Sequence, residues 1–182
     1  PSAEQRAAVP HHLVDVIAPD EEYSLAVFLR QARTAIHDIQ SRWKLPILVG
    51  GTGQYVWGLL EGWQVPEVPP DHELRTGLED RARLEGGAVI YKELARLDPD
   101  AARRIDPRSV RRVIRALEVH HSSPDFSSRA SRAKPPFKAV IVGLTLERAA
   151  LYQRINERVD TMITGGWVGE VRALLGRGHG PD

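Results

Sequence analysis

Two hydrophobic rhythms alternate along the chain. Short continuous apolar runs occur at HHLVDVI (His11–Ile17), KLPILVGG (Lys44–Gly51) and AVIVGLTL (Ala139–Leu146). Such runs suit strands of a parallel sheet covered on both faces. Between them the spacing turns helical. Ser24 stands where an N-cap belongs, and Leu25, Phe28, Leu29, Ala32, Ala35, Ile36 and Ile39 form one apolar face after it. A short helix is expected near Tyr55–Leu60. The opening third therefore reads strand, helix, strand, helix, the order of a doubly wound fold.

The rhythm then changes. WQVPEVPPD (Trp63–Asp71) is a proline-rich connector, and only helical patterns follow it. Asp71 caps one helix running to about Leu84. Others are expected at Ala88–Leu97, Asp100–Ile105 and Ser109–His120, the last burying Val110, Val113, Ile114 and Leu117. A final helix starts near Arg148 with Leu151, Ile155, Val159 and Met162 as its stripe, is broken at GGW, and resumes in VGEVRALL. The expected fold class is α/β: a parallel sheet flanked by helices, with an all-helical insertion. Residues 1–66 and 139–182 form the core, 67–121 the insertion, and 122–138, rich in Ser, Pro and Arg, a mobile basic loop.

Composition narrows the picture in three places. The chain of 182 residues has no cysteine, which excludes disulfides and thiolate metal sites and fits a reducing compartment. It has no apolar run of the roughly 18 residues a membrane span needs. The first residue is Pro1, not methionine, and both ends look cut. Net charge is only +1, but Arg103, Arg104, Arg108, Arg111, Arg112 and Arg115 crowd one segment against Asp106 and Glu118. A local excess of this kind forms a phosphate-binding face.

Four groups of residues carry candidate chemistry, each with a plainer reading beside it. The turn Gly50-Gly51-Thr52-Gly53 allows close backbone approach and offers a hydroxyl to a phosphate; alternatively it is a tight strand-to-helix turn. In RSVRRVIRALEV, Arg111, Arg115 and Glu118 share a face opposite the apolar stripe, with Arg112 to one side. That face contacts phosphate, or is a solvated surface with an Arg115–Glu118 pair. Arg154 and Arg158 lie one turn apart and either clamp a diphosphate or pair on the surface, for example with Glu157. His11-His12 and His120-His121 suggest a metal, but adjacent histidines on a strand point to opposite faces and chelate one ion poorly; His11 or His12 reads instead as structural, or as hydrogen-bonded near the site.

Taken in order, VPHHLVDV, PILVGGTGQY, RRVIRALEV and QRINERVDTMITGGWVGEVRALL closely resemble the tRNA dimethylallyltransferase (tRNA isopentenyltransferase) family, from Pro1 to about Gly178. The resemblance implies a P-loop-NTPase-like, nucleotide-binding core in the cytoplasm, a helical insertion that holds the anticodon arm of tRNA, and a monomer. It implies transfer of dimethylallyl from dimethylallyl diphosphate to N6 of the adenosine 3′ of the anticodon, with Mg²⁺ assisting and the base drawn out of its stack. Thr52 matches the Thr of the Gly-Gly-Thr motif near tRNA and joins Arg154 and Arg158, the diphosphate contact, in the catalytic set. Arg75, Arg111, Arg112 and Arg115 match tRNA-contacting positions. His11, His12, Asp15, Gly50, Gly51 and Gly53 are supportive.

The chain departs from the family pattern in several ways. The phosphate loop, the Asp-Ser segment expected to supply the base and the Mg²⁺ ligands are not in these 182 residues. SSPDFSSRASRAKPP replaces a TGKP pattern, and GGWVGEV replaces GLVEEV. Such a chain is expected to be inactive alone. Rival readings are an adenylate isopentenyltransferase acting on free nucleotide and a non-catalytic tRNA-binding remnant.

Overall fold

The computed structural model describes residues 1–123, 133–135 and 137–180. Its elements are α1 (Ala3–Ala8), α2 (Leu25–Ser41), α3 (Gly53–Leu60), α4 (His72–Glu85), α5 (Gly87–Leu97), α6 (Pro99–Arg104), α7 (Val110–Ser122), α8 (Arg148–Thr164) and α9 (Trp167–Gly176). The helix starts follow side-chain chemistry. Ser24 Oγ accepts the Val27 N–H at 3.2 Å, Asp71 Oδ1 the Leu74 N–H at 2.9 Å, and Asp98 Oδ1 the Ala101 N–H at 2.8 Å. Each satisfies a backbone donor that the first helical turn leaves open. Pro99 stands at the start of α6, where a missing N–H is harmless.

The expected α/β class is not what forms. Among the described residues there is no β-strand and no sheet; a single isolated bridge at Trp63 is the nearest approach. His11–Ile17 cannot extend, because Leu13 (φ 59°) and Asp15 (φ 55°) sit in the left-handed region. Ile47 and Val49 are 76% and 87% exposed, and Val140 and Leu144 92% and 95%. A continuous apolar run states that a segment favours burial. It does not supply the neighbouring strand whose N–H and C=O groups would complete a ladder.

The chain divides into two compact units. One comprises Pro1–Leu13 and Tyr23–Phe137. Its larger core is built by α4 to α7: Leu78, Ile90, Leu94, Ala101, Ala102, Val113, Ile114 and Leu117 pack together, with Ile90, Leu94, Val113 and Leu117 wholly out of solvent. Each large aliphatic side chain so buried contributes about 1.5–3 kcal/mol. A smaller core joins α2 to α3 through Phe28, Leu29, Ala32 and Leu59, with Tyr55 stacked on Phe28 at 4.5 Å between ring centroids.

The second unit comprises Val14–Glu22 and Lys138–Asp182. The GGW break falls between α8 and α9, where Gly166 takes φ 97°. The stripe of Leu151, Ile155, Val159 and Met162 exists on α8, yet these residues remain 36–46% exposed. The loop expected at 122–138 lies mostly outside the described residues.

At the end of α2, Trp43 adopts φ 57° while 95% exposed. It occupies the left-handed position that glycine normally takes after a helix. Trp43→Gly is expected to stabilise the chain by about 0.5–1 kcal/mol, the relief of the left-handed strain less the extra flexibility of unfolded glycine. Urea unfolding monitored at 222 nm checks this; an unchanged or lower midpoint counts against it.

Candidate functional site

Helix α7 and the segments touching it carry the densest charge. Val113, Ile114 and Leu117 anchor one face in the core. Glu118, expected on the opposite face, is fully buried with them. The reason is visible in the spacing: Glu118 follows Ile114 by four residues and so stacks above it.

Its carboxylate is saturated with donors. Oε1 accepts the Asp71 backbone N–H at 2.6 Å and Arg75 Nε at 2.8 Å. Oε2 accepts Arg75 Nη2 at 3.0 Å and also Arg115 Nη1. Arg115 Nη2 continues to the Val68 carbonyl at 3.1 Å. One buried anion thereby ties the connector, the start of α4 and the middle of α7 together. Burial pushes the Glu118 carboxyl upward, but the hydrogen bonds from Arg75, Arg115 and the Asp71 amide outweigh it and hold the group below its ordinary range.

The arginines sort by partner. Arg103 pairs with Asp100, and Arg108 with Asp106 at 2.8 Å. Arg108 heads the influences that hold the Asp106 carboxyl low, and the charge of Arg112 adds to them. Arg75 and Arg115 share Glu118 with side chains 33% and 37% exposed. Arg111 and Arg112 are exposed and have no ion pair or hydrogen bond among the described residues. Of the four arginines expected to meet tRNA, two are therefore oriented by an internal anion, and two are exposed on α7 without an ion pair or hydrogen bond among the described residues.

The Gly50-Gly51-Thr52 turn leads directly into α3. Thr52 is the N-cap of α3 but makes no side-chain cap bond, so its hydroxyl is uncommitted there. Gly50, Gly51 and Gly53 do not adopt left-handed backbone. An added Cβ would meet nothing within 4 Å at Gly50 or Gly51, and only Trp57 Cδ1 at 3.9 Å at Gly53. Nothing among the described residues demands glycine here; the backbone is simply bare. Beside it lies a groove of about 400 Å³ lined by Gly53, Gln54, Trp57, Glu61 and Trp63.

His11 is exposed and its Nδ1 lies 2.7 Å from the Val9 carbonyl, a local bond rather than a ligand geometry. His12 and Asp15 are also exposed. In the second unit, Arg154 and Arg158 are exposed on α8 without a partner among the described residues; Glu157 instead accepts from Gln153 at 2.9 Å. Among the described residues no group of three or more His, Asp or Glu is placed to hold a metal ion. No described helix is long and apolar enough to cross a membrane. Sequence spacing pointed to the arginines but missed the full burial of Glu118, which the four-residue step from Ile114 signals.

Residues 1–182 match the IPP transferase family model. The chain is 48% identical over 183 residues to a tRNA dimethylallyltransferase of Thermomicrobium roseum, covering 100% of this chain and 56% of the relative. It is 50% identical over 180 residues to that of Chloroflexus aurantiacus, covering 98% and 61%. The chain thus spans little more than half the length of these relatives. Among solved structures it is similar to a tRNA isopentenylpyrophosphate transferase from Bacillus halodurans, with TM-score 0.57, 38% identity, and 97% and 55% of the two chains covered. It is also similar to a eukaryotic dimethylallyltransferase acting on tRNA, with TM-score 0.74, 30% identity, and 97% and 44% covered. With the family model matched from first residue to last and the arginine-bearing α7 within it, the chain belongs to the IPP transferase family.

Proposed function

We propose that this chain is part of a tRNA-modifying prenyltransferase, and that α7 with the start of α4 is its grip on the anticodon arm. The observation that carries the reading is the family match over all 182 residues. The free guanidinium groups of Arg111 and Arg112 and the half-exposed ones of Arg75 and Arg115 are suited to phosphate, which arginine binds in bidentate fashion.

The reaction in this reading is a displacement. N6 of the adenosine 3′ of the anticodon forms a bond to the allylic carbon of dimethylallyl diphosphate. The carbon–oxygen bond breaks, diphosphate leaves, and N6 gives up a proton to a base. Arg154 and Arg158 are assigned to the departing diphosphate, whose charge they would stabilise. Thr52 and the bare Gly50-Gly51 backbone are assigned to the tRNA side. The family's Mg²⁺ would assist diphosphate departure.

The test is a pair of assays on the purified chain. With labelled dimethylallyl diphosphate and tRNA, no transfer is expected, because no G-x-x-x-x-G-K-[ST] loop is in the sequence. With tRNA alone, salt-dependent binding is expected. Arg111→Ala with Arg112→Ala should weaken binding about tenfold and lower the slope of log affinity against log salt by about 2. Measurable transfer by the chain would refute its expected inactivity, and binding untouched by the double substitution would refute the α7 assignment.

A further inference from the structure

We propose that Glu118 is a positioning residue: its buried carboxylate presets Arg115, and with it Arg75, so that α7 presents an oriented row of guanidinium groups to RNA phosphates. The inference rests on the RNA reading of α7 given above. Arg111 and Arg112 stand four and three residues before Arg115, the steps that make neighbours on a helix surface.

Glu118 is wholly inside, packed beside Ile114 and Leu117 in sequence and accepting from Asp71, Arg75 and Arg115. A buried ion cluster is a poor way to gain stability, since apolar residues of similar volume often do as well. What apolar residues cannot do is fix the direction of two arginines at the surface. The geometry here does so. Arg75 donates through Nε and Nη2 to the two oxygens of one carboxylate, a planar fork. Arg115 is fixed at two points, the carboxylate and the Val68 carbonyl.

A guanidinium has five N–H donors, and Arg115 uses two of them in these contacts. Its side chain keeps 37% of its exposure. An unrestrained surface arginine loses rotamer freedom when it grips phosphate. One already held by Glu118 loses less, so binding is tighter for the same charge.

The sign of one substitution separates this from a purely electrostatic role. Glu118→Gln removes a negative charge beside the arginines. If charge alone matters, RNA binding strengthens. If positioning matters, binding of a synthetic anticodon stem-loop RNA weakens by about tenfold, because the amide keeps one accepting oxygen and turns an NH₂ donor toward N–H groups that the carboxylate had accepted. The slope against salt then falls by about 1 as one phosphate contact is lost. Circular dichroism of the variant shows whether the helices persist. Should Glu118→Gln fail to fold, Arg115→Lys serves instead: it keeps the charge and loses the fork, and weaker binding is again expected. Binding equal to or tighter than wild type by folded Glu118→Gln, or by Arg115→Lys in its place, overturns the inference. If Arg111→Ala weakens binding while Glu118→Gln does not, only the positioning role fails. If the unaltered chain shows no salt-dependent binding to the stem-loop, the RNA reading fails and takes this inference with it.

Discussion

Glu118→Ala should be the most destabilising single change in the helical insertion, costing about 3–5 kcal/mol, the range for breaking a buried ion pair from one side. The substitution removes acceptors for Arg75, Arg115 and the Asp71 N–H together. The Asp71 amide is the most consequential, because Asp71 also caps α4 and its placement depends on both bonds. The partly exposed arginines can turn to water, which moderates the loss toward the lower end. Urea unfolding checks the figure. Arg75→Leu and Arg115→Met combined with Glu118→Leu should recover much of it, since the whole cluster is then apolar. A loss below about 1 kcal/mol for Glu118→Ala would mean the carboxylate is not the fastening point between α4 and α7.

The same group sets a pH dependence. Its carboxyl titrates lower in the folded chain than its ordinary value of 4.5. The unfolded chain therefore binds the proton more readily, and the stability Glu118 contributes is present above the unfolded value. It is lost as pH falls from about that value through the lower folded one. Melting temperature should drop across this acidic window in the parent chain and less steeply in Glu118→Gln.

Gly62→Ala is expected to cost at least about 2 kcal/mol, from roughly 1–2 for a left-handed non-glycine residue and 1–3 for overpacking. Gly62 has φ 65°, and an added Cβ would stand 1.7 Å from the Ala133 carbonyl oxygen. That contact cannot relax cheaply, because both atoms belong to backbone joined by the Ala133 N–H to Gly62 C=O bond at 2.9 Å. The change should also disturb the Trp57–Trp63 groove, since Gly62 directly precedes Trp63. Tryptophan fluorescence on unfolding reports both effects. An unchanged midpoint would show that the Ala133 segment is not packed there.

Particular residues show how far the sequence carried. Ser24, Asp71 and the Gly165-Gly166 break were readable because a cap or a helix stop is decided within three or four residues. Val113, Ile114 and Leu117 were readable because helical spacing alone places them on one face. The left-handed Leu13 and Asp15 were not, since neither residue type announces that conformation. Thr52 lay in plain view, but whether its hydroxyl caps α3 or stays uncommitted depended on local geometry.

By itself the sequence determined helices α2 to α9, the caps at Ser24 and Asp71, the apolar face of α7 and the arginine-rich stretch, all consequences of short-range spacing. It also carried the family resemblance through its ordered motifs. Only the tertiary structure decided that the apolar runs at Pro46–Val49 and Ala139–Leu146 would not become strands among the described residues, because a ladder needs a neighbour that a periodicity cannot supply. Only it decided which arginines are fixed and which are free. Arg75 and Glu118 are 43 residues apart, and a contact across that separation is made by the packing of α4 against α7, not by any local spacing of the chain.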